Sequence, residues 1–452
     1  MDFHQGTESW QDATLIENIM RQARWYRGHN PHVEFGPWAQ TGNTSASIIL
    51  QLVQSEGLVY QLPLYLTAPT AADHELPGYI GPAGNLSVFD ATEHPFGREA
   101  IYEAILGNVT WEGPLPVGAH TLRGKSAQLP QVAESHKLSS EQSNTSVIYT
   151  FAAHTCGKVS PFTANAENTS SSESAGIIIK LFRVVDFGKN PDVELMEGLE
   201  KLGTRAIPRQ YGSIFADADG HIDLGVAAEF LAGSADAWQV LTAQASSSSD
   251  LVDRSQIVEL GSMTRDIHHA LRQAFSTTPV TDDVKTQLRH VWQERLEQAV
   301  NDAPQLRSQK KAIESVFDSA LAGQWPQLSR IHGDFHLGQV LRSPNRGWVA
   351  LDFEGEPLRS LESRRLPDLP LRDVAGMLRS FDYVAGATGV GGQWATQARA
   401  AFLEGYGPVS SQELLDALEL DKALYEVSYE AASRPDWIHI PLSGIENLLH
   451  GK

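Results

Sequence analysis

The sequence predicts an α+β protein whose N-terminal half is rich in strands and whose C-terminal half is mostly helical. Three observations predict it. Short apolar runs bounded by turn residues recur as far as Leu231. From Asp236 onward, apolar residues instead recur at three-to-four spacing. That helical pattern is interrupted by Ile331-His332-Gly333-Asp334 and the polar positions that follow it.

The length of 452 residues suits two or three domains with sizeable cores. The expected partition is an α/β cap at 1–125, a β-rich lobe at 126–232 and an α-helical lobe at 233–452. A hydrophobic content of 41% and a charged content of 20% are ordinary for a globular chain. The net charge of −20 argues against a nucleic-acid or anionic-membrane partner, because either would need a basic surface. One cysteine, Cys156, excludes an intrachain disulfide and a cysteine zinc site, and fits a reducing compartment. MDFHQGTESWQD lacks the basic-then-apolar order of a signal peptide, and no run reaches the ~18 apolar residues of a membrane span. The expectation is a cytoplasmic protein.

In chain order, residues 8–25 show helical spacing and lead into Arg24-Trp25-Tyr26. Ser47–Val53 and Leu58–Leu66 read as two strands of a hairpin turning at Ser55-Glu56-Gly57. Leu86–Asp90 reads as a strand and Gly97–Leu106 as a helix, and Leu115–Leu122 as a return to the same sheet. The aromatic residues of this part read as core.

Glu141-Gln142-Ser143-Asn144-Thr145-Ser146 then feeds an apolar strand. Such a turn can offer hydroxyls and backbone N–H groups to phosphates, although most such turns are only turns. Residues 154–174 read as a long polar excursion. Ile177–Phe182 carries Lys180, whose ammonium needs an anionic companion inside an apolar strand. A helix follows at Pro191–Leu202, with Asn190 as its N-cap and Gly203 at its end. A strand lysine paired to a glutamate on the next helix is how protein kinases fix phosphates, so Glu194, or else Glu197, is the expected partner. Strands at Pro208–Phe215 and Ile222–Leu231 follow, and Glu229 to Leu231 fall in chain order where a hinge would pair with adenine.

Helices are expected at Asp250–Phe275, Val284–Val300, Leu306–Leu321, Leu371–Tyr383, Trp394–Tyr406 and Gln412–Ala432. Among them, Asp334 is followed five residues later by Gln339, and eighteen residues later an apolar run delivers Asp352 and Glu354. A lone His-Gly-Asp would read as a hairpin turn. With an amide and a second acidic pair at these spacings, the set suits phosphoryl transfer. One carboxylate orients and deprotonates a hydroxyl, while Gln339 and Asp352 hold Mg²⁺ on the nucleotide. Arg372 and Asp373 read as an internal set anchoring the loop. Tyr429, Glu430, Asp436 and Trp437 combine aromatic and acceptor groups of the kind that hold sugars, though a helix end packing on the lobe would look the same.

These stretches, together with Arg24-Trp25-Tyr26, NPDVEL at 190–195, DFEGEP at 352–357 and YEVSYEAASRPDW at 425–437, resemble the aminoglycoside-phosphotransferase-like kinases. More narrowly, they resemble actinobacterial maltokinases and glucosamine kinases. The resemblance implies a two-lobed protein-kinase-like fold with an N-terminal cap, ATP and Mg²⁺, and a sugar as acceptor. It implies Asp334 as base, Gln339 and Asp352 as metal ligands with Glu354 as a third, and Lys180 with Ser143, Asn144 and Thr145 at the phosphates. His336 joins the candidate sugar contacts. Gln339 replaces the broader group's asparagine and retains the amide oxygen. Arg27-Gly28-His29 departs from maltokinase usage. An acidic site would suit a protonated 2-amino group, so glucosamine is the expected acceptor and maltose, giving maltose 1-phosphate, the alternative. A pseudokinase is the rival of another class, but Lys180, Asp334, Gln339 and Asp352 are all present. No activation segment of the protein-kinase kind follows Asp352.

Overall fold

The structure is a computed structural model that describes all residues except 44, 108, 122–128, 139–142, 152–175, 248–251, 358 and 451–452. The described residues form two compact units, Met1–Val193 with Pro208–Ala232, and Glu194–Ile207 with Gly233–Lys452. The polar excursion expected at 154–174 lies outside the described residues, as do Glu141 and Gln142.

In the first unit the elements run α1 (Ala13–Gln22), β1 (Glu34–Gly42), β2 (Ala46–Ser55), β3 (Leu58–Thr67), β4 (Tyr79–Ala83), β5 (Leu86–Asp90) and α2 (Pro95–Leu106). After them come β6 (Val117–Thr121), β7 (Val132–Lys137), β8 (Asn144–Phe151), β9 (Gly176–Phe182), β10 (Val184–Val185), the first turn of α3 (Pro191–Lys201), β11 (Gln210–Asp217) and β12 (His221–Phe230). The β2–β3 hairpin turns through Glu56 and Gly57, both at positive φ, the geometry of a tight two-residue turn.

Two sheets result, β1-β2-β3-β5-β4 with β10 on β3, and β6-β11-β12-β9-β8-β7. The apolar run of β2 is buried on both faces, which is why it does not alternate with polar residues. Ile49 and Val53 pack with Ile16 and Met20 of α1, whereas Ile48, Leu50 and Leu52 share a core with α2 and the second sheet.

The segment expected to return to the cap sheet instead pairs, as β6, with β11 of the other sheet. The boundary expected at 125 therefore separates no compact units. Arg183 shows how the two sheets are tied. It is 1% exposed, donates from Nε to Thr145 Oγ1 at 2.8 Å and from Nη2 to Thr92 Oγ1 at 3.2 Å, and pairs with Asp90 at 3.3 Å. Its guanidinium also lies 4.9 Å from the centre of the Trp25 ring.

The second unit holds the rest of α3, then β13 (Ala235–Asp236), α4 (Ala237–Ser247), α5 (Arg254–Ala274), α6 (Asp282–Asp302), α7 (Lys310–Ala322), β14 (Val340–Ser343) and β15 (Gly347–Ala350). It ends with α8 (Leu361–Arg364), α9 (Leu371–Thr388), α10 (Gly392–Tyr406), α11 (Gln412–Ser433) and α12 (His439–His450). The sheet-rich N-terminal part and helical C-terminal part are those expected. Asp253 caps α5 and Ser411 caps α11 through side-chain oxygens, as short polar residues do at helix starts.

One large apolar core, including Trp292, Phe317, Phe335, Phe353, Phe381 and Phe402, fills this unit. α5 and α10 approach so closely that a Cβ at Gly261 would sit 2.0 Å from the Phe402 carbonyl oxygen, and one at Gly405 2.0 Å from that of Val258. Gly261→Val is therefore expected to lower the unit's stability by about 1–3 kcal/mol through overpacking. A urea midpoint equal to the wild type's would contradict that contact. Among the described residues, no helix is long and apolar enough to cross a membrane.

Candidate active site

The Asp334 loop is built by local turns and held from below. Gly333 has φ +87°, a left-handed conformation that glycine adopts without strain. His336 begins a short 3₁₀ turn over Leu337–Gln339, accepting the Gly338 N–H at 3.1 Å, and β14 leads away from it. β15 returns to Asp352, which has φ +60° although it is not glycine. A non-glycine residue in that region is strained, and strain of this kind persists where surrounding structure over-determines it.

Asp373, at the start of α9 and 1% exposed, accepts the N–H of His332 at 2.8 Å and of Gly333 at 2.9 Å. His268 Nε2 lies 3.0 Å from the same carboxylate. Asp373 thus anchors the loop as expected. Arg372 turns instead to Asp368 and Asp421, each at 3.3 Å. α9 lies directly under the loop, since a Cβ at Gly376 would be 2.5 Å from the Phe335 carbonyl oxygen.

Five of the expected residues gather on this loop and hairpin. Gln339 Nε2 lies 3.3 Å from Asp352 Oδ2, and His336 Nε2 lies 4.0 Å from Asp334 Oδ2. Glu354 is half-buried, with Oε2 3.9 Å from Arg364 Nη1, which also donates to its backbone carbonyl at 2.9 Å. Burial pushes the His336 imidazole below its ordinary pKa and outweighs the opposing pull of Asp334.

Lys422 is a further neighbour that the sequence did not disclose. Its Nζ lies 3.5 Å from Asp334 Oδ1. Burial works against the ammonium, but Asp334, Glu426 and Glu356 outweigh it and hold its pKa above the usual lysine value. Tyr425, one turn along α11, lies under that ammonium at 5.4 Å and stacks on Tyr429 with ring centres 6.3 Å apart. The i, i+3, i+7 spacing of Lys422, Tyr425 and Tyr429 puts them on one face, a signal that was available in the sequence.

Of the other proposed sugar contacts, Glu430 is 1% exposed and both its oxygens are engaged, by Tyr383 at 2.9 Å and by Arg434 at 2.9 and 2.6 Å. It orders those two groups and is not an open sugar ligand. Trp437 is half-buried, stacks on Tyr383 at 6.3 Å and lies 4.7 Å from the Arg434 guanidinium. Asp436 is exposed, and its carbonyl meets His439 Nδ1 at 2.8 Å.

In the first unit, Lys180 meets Asp192 at 3.1 Å and not Glu194, which pairs with Arg330 in the second unit. The reason is rotation. Residues two apart on a helix point about 200° away from each other, so one flank of α3 cannot serve both cations. Thr145 is 1% exposed and its hydroxyl oxygen accepts from Arg183 Nε at 2.8 Å, so its side chain is engaged in the core and not turned to a phosphate site. Asn144 is also buried, at the start of β8, and Ser143 is half-buried just before it. Glu229 sits near the end of β12 and accepts the Arg209 N–H at 3.2 Å. Leu231 follows that strand, and the first unit ends one residue later. A cavity of about 1020 Å³ walled by Asp382, Gly386, Arg399 and Asp416 lies toward the other end of α9 and includes none of the loop residues.

Residues 215–412 match the profile of the phosphotransferase enzyme family. The chain is 27% identical over 338 residues to a glucosamine kinase of Mycolicibacterium smegmatis, covering 67% of this chain and 82% of that protein. It is 25% identical over 295 residues to a glucosamine kinase of Streptacidiphilus jiangxiensis, covering 58% and 66%. A solved glucosamine kinase in complex with glucosamine, ADP and inorganic phosphate superposes with a TM-score of 0.67 at 18% identity, over 97% of this chain and 99% of that one. At that identity the superposition shows a shared fold.

Proposed function

We propose that the chain, whose residues 215–412 match the phosphotransferase enzyme family, is an ATP-dependent glucosamine kinase. One observation carries the chemistry. The Asp334 carboxylate stands on a loop pinned by a buried aspartate, and the same loop and hairpin hold the Gln339–Asp352 pair. The two curated relatives, both glucosamine kinases, support the acceptor.

Oxygen donors from Gln339, Asp352 and Glu354 are the hard ligands that Mg²⁺ takes, and the left-handed backbone at Asp352 aims its carboxylate from a strained corner. Bound Mg²⁺ would neutralise charge on the β- and γ-phosphates. Lys180 would steady the nucleotide's phosphates, its own orientation set by Asp192. Asp334 accepts a hydrogen bond from one sugar hydroxyl and aligns its oxygen for in-line attack on the γ-phosphorus. As the new P–O bond forms, the bond to the β-phosphate oxygen breaks, ADP leaves and the hydroxyl proton passes to Asp334. Little covalent chemistry is asked of the protein, so rate comes from positioning and charge. The exposed Tyr429 face and Trp437 offer aromatic surface to a sugar ring. We place the protein in the cytoplasm.

The test is ATP consumption over glucosamine, maltose, glucose, N-acetylglucosamine and an aminoglycoside. The expected outcome is a kcat/KM for glucosamine at least tenfold above every other sugar. Turnover of maltose far above glucosamine would transfer the assignment to a maltokinase. Tight sugar binding with no sugar-dependent turnover would make the protein a binding regulator.

A further inference from the structure

We infer that Lys422 is a positioning residue for phosphoryl transfer, which holds one oxygen of Asp334 so that the other is left for the acceptor hydroxyl. The inference rests on the kinase reading above and adds to it a residue from outside the loop.

Lys422 stands on α11, 88 residues beyond Asp334 in the chain. Its Nζ meets Oδ1 at 3.5 Å, while His336 approaches Oδ2 at 4.0 Å. An aspartate side chain turns about two bonds and can present either oxygen outward. A cation on Oδ1 removes that ambiguity. Among the described residues, Lys422 is the ammonium or guanidinium group within ion-pair distance of Asp334. The same helix face carries Tyr425 and Tyr429, and the charge of Glu356 acts on both Lys422 and Tyr425. An ammonium has three N–H groups, so two are left after Asp334. Their place beside the base suits them to the oxygen that attacks, or to the negative charge spread over the phosphoryl oxygens in the transition state.

The plainer role for such a pair is a tether between α11 and the loop. That role would move stability and leave the chemical step alone, so the two can be separated. Wild type, Lys422→Met and Lys422→Arg are compared for sugar-dependent turnover, sugar-free ATP hydrolysis, binding of a non-hydrolysable ATP analogue and Tm. Water must be oriented by the same carboxylate, so the sugar-free reaction reads Lys422 without any sugar.

Expected are a fall in kcat of about 100-fold for Lys422→Met in both reactions, unchanged analogue affinity and Tm, and recovery to within about tenfold in Lys422→Arg. A kcat within threefold of wild type in Lys422→Met would overturn the inference. So would a loss matched by lower Tm, or an arginine variant no better than methionine. If wild type phosphorylates no sugar while Lys422→Met still loses ATP hydrolysis, the acceptor assignment fails and the positioning role stands.

Discussion

Asp334→Asn is expected to lower sugar-dependent kcat by on the order of 10³, because the amide can neither take the hydroxyl proton nor hold that hydroxyl as an anion does. The substitution keeps the shape of the side chain. The loop's support should survive it, since that support comes from Asp373 and not from Asp334. Nucleotide affinity should stay within about threefold of wild type, because binding rests on other groups. Steady-state turnover combined with calorimetric titration of an ATP analogue measures both quantities. An Asn variant with more than a tenth of wild-type kcat would remove Asp334 from the role of base.

The second large effect belongs to a residue that touches no substrate. Asp373→Ala strips acceptors from the His332 and Gly333 N–H groups and from His268, and His332 and His268 lie where water does not replace them. Leaving buried donors unsatisfied should cost about 3–5 kcal/mol in sum, seen as a fall of roughly 10 °C in Tm. Turnover should be lost along with the loop's geometry. Asp373→Asn keeps one acceptor oxygen and should lie between the two. If Asp373→Ala has the wild-type denaturation midpoint and kcat, the loop is held by something other than this carboxylate.

Much of the candidate site was legible because it is local. Gln339, Asp352 and Glu354 follow Asp334 through one 3₁₀ turn and one short hairpin, so spacing along the chain translates into nearness in space. Asp373 was legible for a different reason, since a charged residue opening an apolar helix needs a partner when buried. The fold class followed from periodicity, and the β2–β3 hairpin from its turn. Elements went unread where the pattern was weak. Glu34–Gly42 and Val132–Lys137 are strands with little apolar alternation, and His439–His450 is a helix that begins right after a proline-containing turn.

By itself, then, the sequence determined the α+β class and the spacing of the loop residues, and it carried the expectation of a sugar kinase. Only the tertiary structure decided which groups complete them. Helix rotation chose Asp192 over Glu194 for Lys180, sheet pairing moved β6 out of the cap sheet, and the packing of α11 brought Lys422 to Asp334. Local geometry is written in neighbouring residues, because a turn constrains only the few bonds it contains. A contact across 88 residues is set by the packing of the whole helical core, which no short stretch encodes.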